Sequence, residues 1–220
     1  MVDKQAPVIV CRGVRIAYDK DVILDDVDLE IPQGCFLPFV GPNGAGKTSL
    51  LRAILGLLQP VAGTIETPFH LRPPGYVPQI NRIDLIFPVT VLEILLMGCY
   101  PVLGNWRRPD AALMKEVEEV LKRFHLEDYA DRSFSDLSGG MRQKVLIGRT
   151  LLSNADVLIM DEPTTGLDEE SEIDILYHLA SLAKDDGKTV LFAQHGLELV
   201  KNVVEQVCRI QRGKVYLESI

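Results

Sequence analysis

Four cysteines, Cys11, Cys35, Cys99 and Cys208, are scattered through 220 residues with no C-x-x-C pair among them. That spacing speaks against a metal knuckle and favours buried, reduced thiols in a cytosolic setting. No stretch reaches the roughly 18 uninterrupted apolar residues of a membrane span. The nearest candidate, Phe87 to Gly104, carries Glu93 and Pro101. Residues Met1 to Pro7 lack the apolar core of a signal peptide, so a soluble chain is expected. Basic residues are outnumbered, 23 Lys and Arg against 31 Asp and Glu, which leaves a net charge of −8. Such a balance is a poor basis for general nucleic-acid binding, and no nucleic-acid partner is expected. Internal repeats and low-complexity tracts are absent as well. What remains is 47% hydrophobic and 25% charged, long enough for one globular unit with a substantial core.

Periodicity divides the chain into three parts. Val8 to Tyr18 and Val22 to Ile31 read as strands joined at Asp19-Lys20-Asp21, and Val27, Leu29 and Ile31 alternate with charges as a half-buried antiparallel strand does. Cys35 to Val40 is a more continuously apolar strand, followed by a helix over Ser49 to Leu58 and short strands at Ala62 to Glu66 and Gly75 to Pro78. The middle is helical: Val89 to Cys99, Ala111 to His125, and Gly139 to Leu152 with Ser138 at the N-cap position. No strand is expected between Asn81 and Ser153. Strands at Asp156 to Met160 and Lys188 to Ala193 then alternate with helices at Glu169 to Lys184 and Gly196 to Asn202, and Gln206 to Ile210 and Lys214 to Leu217 close the chain. This order predicts an α/β fold: a mainly parallel sheet, an N-terminal antiparallel β part, and an all-helical subdomain inserted at about 80–153 of a single domain spanning 1–220. Pro38, within the third strand, removes a ladder N–H and argues for a bulge or an edge position.

The chemistry is concentrated in short motifs. Gly41-Pro42-Asn43-Gly44-Ala45-Gly46-Lys47-Thr48 fits the phosphate-binding loop G-x-x-x-x-G-K-[ST], between a strand and a helix. A chance match in a chain of this length has a probability on the order of 1%. The glycines let backbone N–H groups approach phosphate oxygens, and the helix that follows adds its positive end. Lys47 offers a mobile charge to the β and γ phosphates, and Thr48 a hydroxyl to Mg²⁺. Val157 to Asp161 is an apolar strand ending in a carboxylate, which places Asp161 at the carboxyl edge of the sheet, where it is expected to hold Mg²⁺ directly or through water. Glu162 follows as a general base for an attacking water. Taken alone, Asp161-Glu162-Pro163 is an ordinary strand-ending turn. Taken alone, Leu137-Ser138-Gly139-Gly140 is only a good capped helix start; read functionally, beside the phosphate loop, it is another anion site. One chain then carries two phosphate-binding helix starts, and both can serve one nucleotide only if two chains face each other.

With these motifs in this order the chain resembles the ATP-binding cassette (ABC) family over nearly its whole length. The resemblance implies an ABC ATPase fold built on a P-loop NTPase core, ATP and Mg²⁺ as cofactors, and an ATP-sandwich homodimer. Leu137 to Gly140 would be the signature motif, with Ser138, Gly139 and Gly140 contacting the nucleotide held by the opposite subunit. Tyr18 matches the aromatic that stacks on adenine, an interaction of roughly 1–3 kcal/mol by analogy with base stacking. Ser49 closes the phosphate-loop set. Gln79 matches the glutamine that links the nucleotide site to the helical subdomain, and the resemblance also counts it with Thr48 and Asp161 at Mg²⁺. Asp168, in Gly166-Leu167-Asp168, matches the dimer-contacting loop. His195 matches the switch histidine, so that Lys47, Gln79, Glu162 and His195 form the implied catalytic set. Without the resemblance, Tyr18 is a strand-end aromatic, Gln79 a loop amide and His195 a structural histidine. His70, His125 and His178 match nothing and read as structural or surface residues. Two positions depart from the family pattern: Met141 stands where glutamine is common, and Gly196 where an acidic residue often follows the histidine.

Ile86 to Gly98, followed by Asn105-Trp106-Arg107-Arg108-Pro109, is similar to the ATP-binding subunits of bacterial manganese, zinc and iron uptake systems. Siderophore and cobalamin importers have a related arrangement, and a soluble ABC-type ATPase such as an iron–sulfur assembly factor is the rival of another class. The importer resemblance implies integral membrane permease subunits, an external solute-binding protein, and a place at the cytoplasmic face of the cytoplasmic membrane. Val91, Leu92, Leu95 and Leu96 are equally explained as subdomain core. Arg82, Trp106, Arg107 and Arg108 fit either a groove for a membrane-subunit helix or a solvated basic turn.

Overall fold

A computed structural model describes residues 6–79, 88–100, 109–196, 198 and 200–220. The basic loop expected at Arg82 and at Trp106 to Arg108 lies outside the described residues, as do Ile86 and Phe87 of the segment Ile86 to Gly98.

Strands β1 (Pro7–Tyr18) and β2 (Asp21–Pro32) pair antiparallel, with Val14 opposite Val27 and Tyr18 opposite Asp21. Ile9, Cys11, Val14 and Ile16 face inward against Leu24, Val27, Leu29 and Ile31, and a register shift between Cys11 and Val14 falls where Gly13 takes φ +55°. Strand β3 (Phe36–Val40) leads into the second sheet, while β4 (Ala62–Glu66) returns to the free side of β1, giving the order β2-β1-β4. The second sheet adds β5 (Gly75–Val77), β6 (Val157–Met160), β7 (Thr189–Gln194), β8 (Gln206–Gln211) and β9 (Lys214–Ser219), in the order β5-β6-β7-β3-β8-β9. It is parallel except for β9, which runs antiparallel to β8.

The pleat of the parallel sheet sorts its residues between two cores. Leu37, Phe39, Val157, Ile159, Leu191 and Ala193 pack with the antiparallel sheet and helix α1 (Lys47–Ile54). Val40, Leu158, Met160, Val190 and Phe192 pack on the opposite side. That second core takes in α2 (Val91–Gly98), α3 (Ala111–Arg123), α4 (Gly139–Leu151) and α5 (Glu169–Lys184). Helix α2 starts at a capping box, in which Thr90 Oγ1 accepts from the Glu93 N–H and Glu93 accepts from the Thr90 N–H. It lies so close to α4 that a Cβ on Gly98 would stand 2.0 Å from the Arg149 carbonyl oxygen.

Three expectations are corrected. Pro38 is in a central strand rather than at an edge or a bulge. The Cys35 carbonyl accepts from Val190 of β7, so by alternation Pro38 turns its missing N–H toward β8, whose pairing begins only at Phe39. Helix α1 starts two residues early, at Lys47, because Gly46 adopts a left-handed φ of 104°, and it stops at Ile54 ahead of the Gly56 turn. The short helix expected over Gly196 to Asn202 is instead turn among the described residues, with Val203 and Val204 both bonded back to the Val200 carbonyl. Among the described residues between 88 and 153 the one β contact is an isolated bridge of Thr90 with Ser133. No described helix is long and apolar enough to cross a membrane.

Candidate functional site

Parallel strands β3 and β7 end side by side at Val40 and Gln194, and β6 ends at Met160 beside Phe192, so the loops that follow all emerge at the carboxyl edge. A cleft of about 460 Å³ opens there, lined by Tyr18, Ile23, Asn43 to Ser49, Gln79, Glu162 and His195. Of the sequence-predicted residues, it gathers Tyr18, Asn43, Gly44, Ala45, Gly46, Lys47, Thr48, Ser49, Gln79, Glu162 and His195. Gly41 and Pro42 stand just behind it, their carbonyls holding Lys47. A Cβ at Gly41 would come within 2.3 Å of the Ile210 carbonyl oxygen, so the turn into the loop has room only for glycine. Gly46 caps α1 with no side chain, which leaves the N–H groups of the first turn directed into the cleft.

Lys47 is buried, and its Nζ donates to the carbonyls of Gly41 at 2.8 Å and Pro42 at 3.1 Å. Burial lowers its pKa from the usual lysine value, against the nearby negative charges of Glu162 and Asp161, which raise it. Asp161 is 2% exposed, and its Oδ1 accepts from Thr48 Oγ1 at 2.7 Å. A hydroxyl and a carboxylate are hard oxygen donors of the kind Mg²⁺ takes. The Glu162 carboxylate is held from three sides. Oε1 lies 2.8 Å from His195 Nε2, while Oε2 accepts from Gln79 Nε2 at 2.8 Å and from Thr165 Oγ1 at 3.1 Å. The amide of Gln79 therefore engages the carboxylate of Glu162 directly. Tyr18 is half-exposed at the rim, with its hydroxyl 3.2 Å from Ser49 Oγ.

A second, smaller hollow of about 220 Å³ collects Ser138, Gly139, Gly140, Met141, Lys144, Gly166, Leu167, Asp168 and Ser171. Ser138 caps α4 by accepting from the Met141 N–H at 3.3 Å, and Asp168 caps α5 by accepting from the Ser171 N–H at 2.9 Å. The Ser171 contacts hold the Asp168 carboxyl below its ordinary value. None of the residues that line this hollow lines the nucleotide-sized cleft.

A profile of the ABC transporter family matches residues 24–165. The chain belongs to that family. As a member it is an ATP-binding cassette and an ATPase. The cassette is 37% identical over 208 residues to a manganese transport system ATP-binding protein of Bacillus subtilis, covering 92% of this chain and 83% of that one. It is 39% identical over 199 residues to a zinc transport system ATP-binding protein of Treponema pallidum, covering 88% and 74%. A Nod factor export ATP-binding protein of Cupriavidus metallidurans is 37% identical over 217 residues, covering 94% and 69%. Among solved structures, an inward-facing metal-chelate type ABC transporter superposes with a TM-score of 0.85 at 27% identity, covering 97% of the cassette and 83% of that chain. A bacterial ABC transporter cassette in a dimeric structure superposes with a TM-score of 0.82 at 26% identity, covering 96% and 98%.

Sequence reasoning missed Ile23 in the cleft, Thr165 on Glu162, and a polar group just behind the site. In that group Thr164 donates its hydroxyl to Glu172 Oε1, and Gln194 Nε2 donates to the same oxygen at 3.0 Å. The one available signal was Gln194 itself, an amide that ends the apolar run Val190 to Ala193.

Proposed function

We propose that this cassette drives uptake of a metal ion, manganese, zinc or iron, through separate membrane permease subunits supplied by an external solute-binding protein. The observation that carries the cargo is its 37–39% identity to manganese and zinc transport ATP-binding proteins over most of the chain. On this reading residues 1–220 act as one ATPase domain, with 80–153 as its helical insertion, at the cytoplasmic face of the cytoplasmic membrane.

In the proposed mechanism adenine stacks on Tyr18, and the phosphates lie along the N–H groups of Asn43 to Ser49. Lys47 exchanges its carbonyl partners Gly41 and Pro42 for phosphate oxygens. Thr48 and Asp161, together with Gln79, would hold Mg²⁺, which would supply charge neutralisation on the phosphate chain. Glu162 takes a proton from water as the water oxygen bonds to the γ-phosphorus. The bond from that phosphorus to the β–γ bridging oxygen breaks, and ADP leaves with the electron pair. Gln79 and Thr165 hold Oε2 of Glu162 in place, and His195 holds Oε1 while facing the γ-phosphate. Ser138, Gly139, Gly140 and Asp168 come from a second copy, which supports an ATP-sandwich homodimer because they lie in a separate hollow of the same chain.

The test is affinity capture of the cassette from detergent-solubilised native membranes, followed by radiolabelled metal uptake into vesicles that carry the captured complex. Co-purification of a multi-spanning protein with ATP-dependent manganese, zinc or iron entry is the expected result. Recovery with soluble proteins alone overturns the transporter reading, and ATP-dependent exit of a solute overturns import.

A further inference from the structure

Behind the Glu162–His195 pair lies a buried polar group that the reaction as described does not use. Thr164 and Gln194 are 3% and 6% exposed, in a neighbourhood built from apolar strands. Both donate to a single oxygen, Oε1 of Glu172, and Thr164 Oγ1 also stands 3.3 Å from Gln194 Oε1. Buried polar side chains of this kind are costly unless their partners are present. The three residues come from three separate segments, each adjacent to a site residue. Thr164 is two residues past Glu162, Gln194 immediately precedes His195, and Glu172 sits in the first turn of α5, whose cap is Asp168. The Glu172 N–H is bonded to the Asp168 carbonyl at 2.9 Å. Glu162 takes a left-handed φ of 54°, and the loop after it closes on itself through Thr165 N–H to the Glu162 carbonyl and Leu167 N–H to the Thr164 carbonyl. A strained backbone of this sort persists where its surroundings over-determine it.

From this geometry we infer that Glu172 is a positioning residue for hydrolysis: with Thr164 and Gln194 it latches the Glu162 loop and the His195 strand end to the cap of α5. This rests on the reading of Glu162 as base. Glu172 touches neither the cleft nor any reacting atom; it acts through Glu162 and His195. The acceptor oxygen is what matters, because both donors converge on it.

The inference predicts a graded set of variants. Glu172→Ala removes the acceptor and lowers kcat for ATP about tenfold or more, with KM within about twofold of the parent. Glu172→Gln keeps an oxygen at the same place and recovers most of that loss. Thr164→Val removes one donor and repeats the defect, and Thr164→Ser restores it. The independent readout is the His195 ring-proton resonance in nucleotide-free protein, which moves in Glu172→Ala and Thr164→Val and returns in Glu172→Gln and Thr164→Ser. If Glu172→Ala does not fold, the Thr164→Val and Thr164→Ser pair carries the same comparison. An unmoved His195 resonance, a kcat within twofold of the parent in Glu172→Ala and Thr164→Val, or a KM that rises as far as kcat falls overturns the latch. Parent-level hydrolysis by a Glu162→Gln variant overturns the base reading instead, while the resonance still reports whether Glu172 holds His195.

Discussion

Replacing Glu162 with Gln separates catalysis from folding, because an amide can keep every contact the carboxylate makes. Oε2 accepts from Gln79 at 2.8 Å and Thr165 at 3.1 Å, and Oε1 meets His195 Nε2 at 2.8 Å. With the amide oxygen in the place of Oε2, Gln79 and Thr165 retain their acceptor. The new NH₂ then faces His195 Nε2, and an imidazole nitrogen can accept as well as donate. Glutamine also meets the same backbone demand at φ 54° as glutamate does. No polar group is stranded, so the change in unfolding free energy stays within about 0.5 kcal/mol. The thermal midpoint then moves by no more than about 2 °C. Hydrolysis loses its positioned base, worth about 10²–10⁴ in rate, or about 2.7–5.4 kcal/mol of barrier. The assay is phosphate release at saturating Mg²⁺–ATP, with thermal melting of the same sample and size exclusion in the presence of ATP. The variant is expected to bind ATP, hydrolyse it at least a hundredfold more slowly and elute as a dimer. Hydrolysis at the parent rate refutes the base assignment, and a midpoint lowered by more than about 5 °C refutes the contact argument.

Lys47→Ala removes the charged donor from the phosphate loop and weakens ATP binding by about 1.5–3 kcal/mol, roughly 10- to 150-fold. Titration with a fluorescent ATP analogue measures it, and an unchanged affinity contradicts the role. Gly98→Ala drives a Cβ to 2.0 Å from the Arg149 carbonyl oxygen and pushes α2 off α4. The cost is about 1–3 kcal/mol, or a midpoint lower by roughly 2–12 °C, and a loss under about one degree is inconsistent with that contact. The Thr90 N–H and hydroxyl hold the Glu93 carboxyl below the usual glutamate value. A depressed acid contributes stability above its unfolded value and loses it as pH falls through the folded one. The first-turn amides of α2 are therefore expected to exchange faster once pH drops below the ordinary glutamate range, and a pH-independent protection factor would contradict the capping box.

The parts legible in the sequence are those whose chemistry is contiguous. The phosphate loop, the Asp161-Glu162 step and Ser138 ahead of α4 each declare themselves within a few residues, and strand order at the carboxyl edge brings the first two together. His195 was reachable only through the family resemblance, and the structure puts its side chain 2.8 Å from that of Glu162. What stayed hidden depends on convergence between distant segments. Thr164, Glu172 and Gln194 each look ordinary in their own element, and only the packing of α5 on β7 makes them one group. Pro38 misled because a propensity rule sees one missing N–H without knowing which neighbour it faces. The stretch after His195 misled because a two-turn amphipathic pattern is too short to nucleate a helix unless packing adds to it.

The cleft and the smaller hollow are also connected within one chain. A Cβ on Gly140 would meet Leu167 Cδ2 at 2.9 Å, so the start of α4 and the Asp168 loop are in near contact. Asp168 caps α5, and four residues later Glu172 holds Thr164 and Gln194, the neighbours of the base loop and of His195. A nucleotide phosphate brought by a second copy to Ser138 and Gly140 would thus press on a loop whose far end is fixed to this chain's own Glu162 and His195. The first-turn position of Glu172 suits that role, since its carboxylate is favoured by the positive end of α5 and its acceptor oxygen moves with the cap rather than with the sheet. Coupling of this kind would make hydrolysis in a chain's cleft sensitive to occupancy of that same chain's hollow. In a dimer with one altered chain, Glu172→Ala is then expected to lower the rate in the altered chain's own cleft, whereas Ser138→Ala, outside that cleft, acts directly on the cleft of the chain it faces.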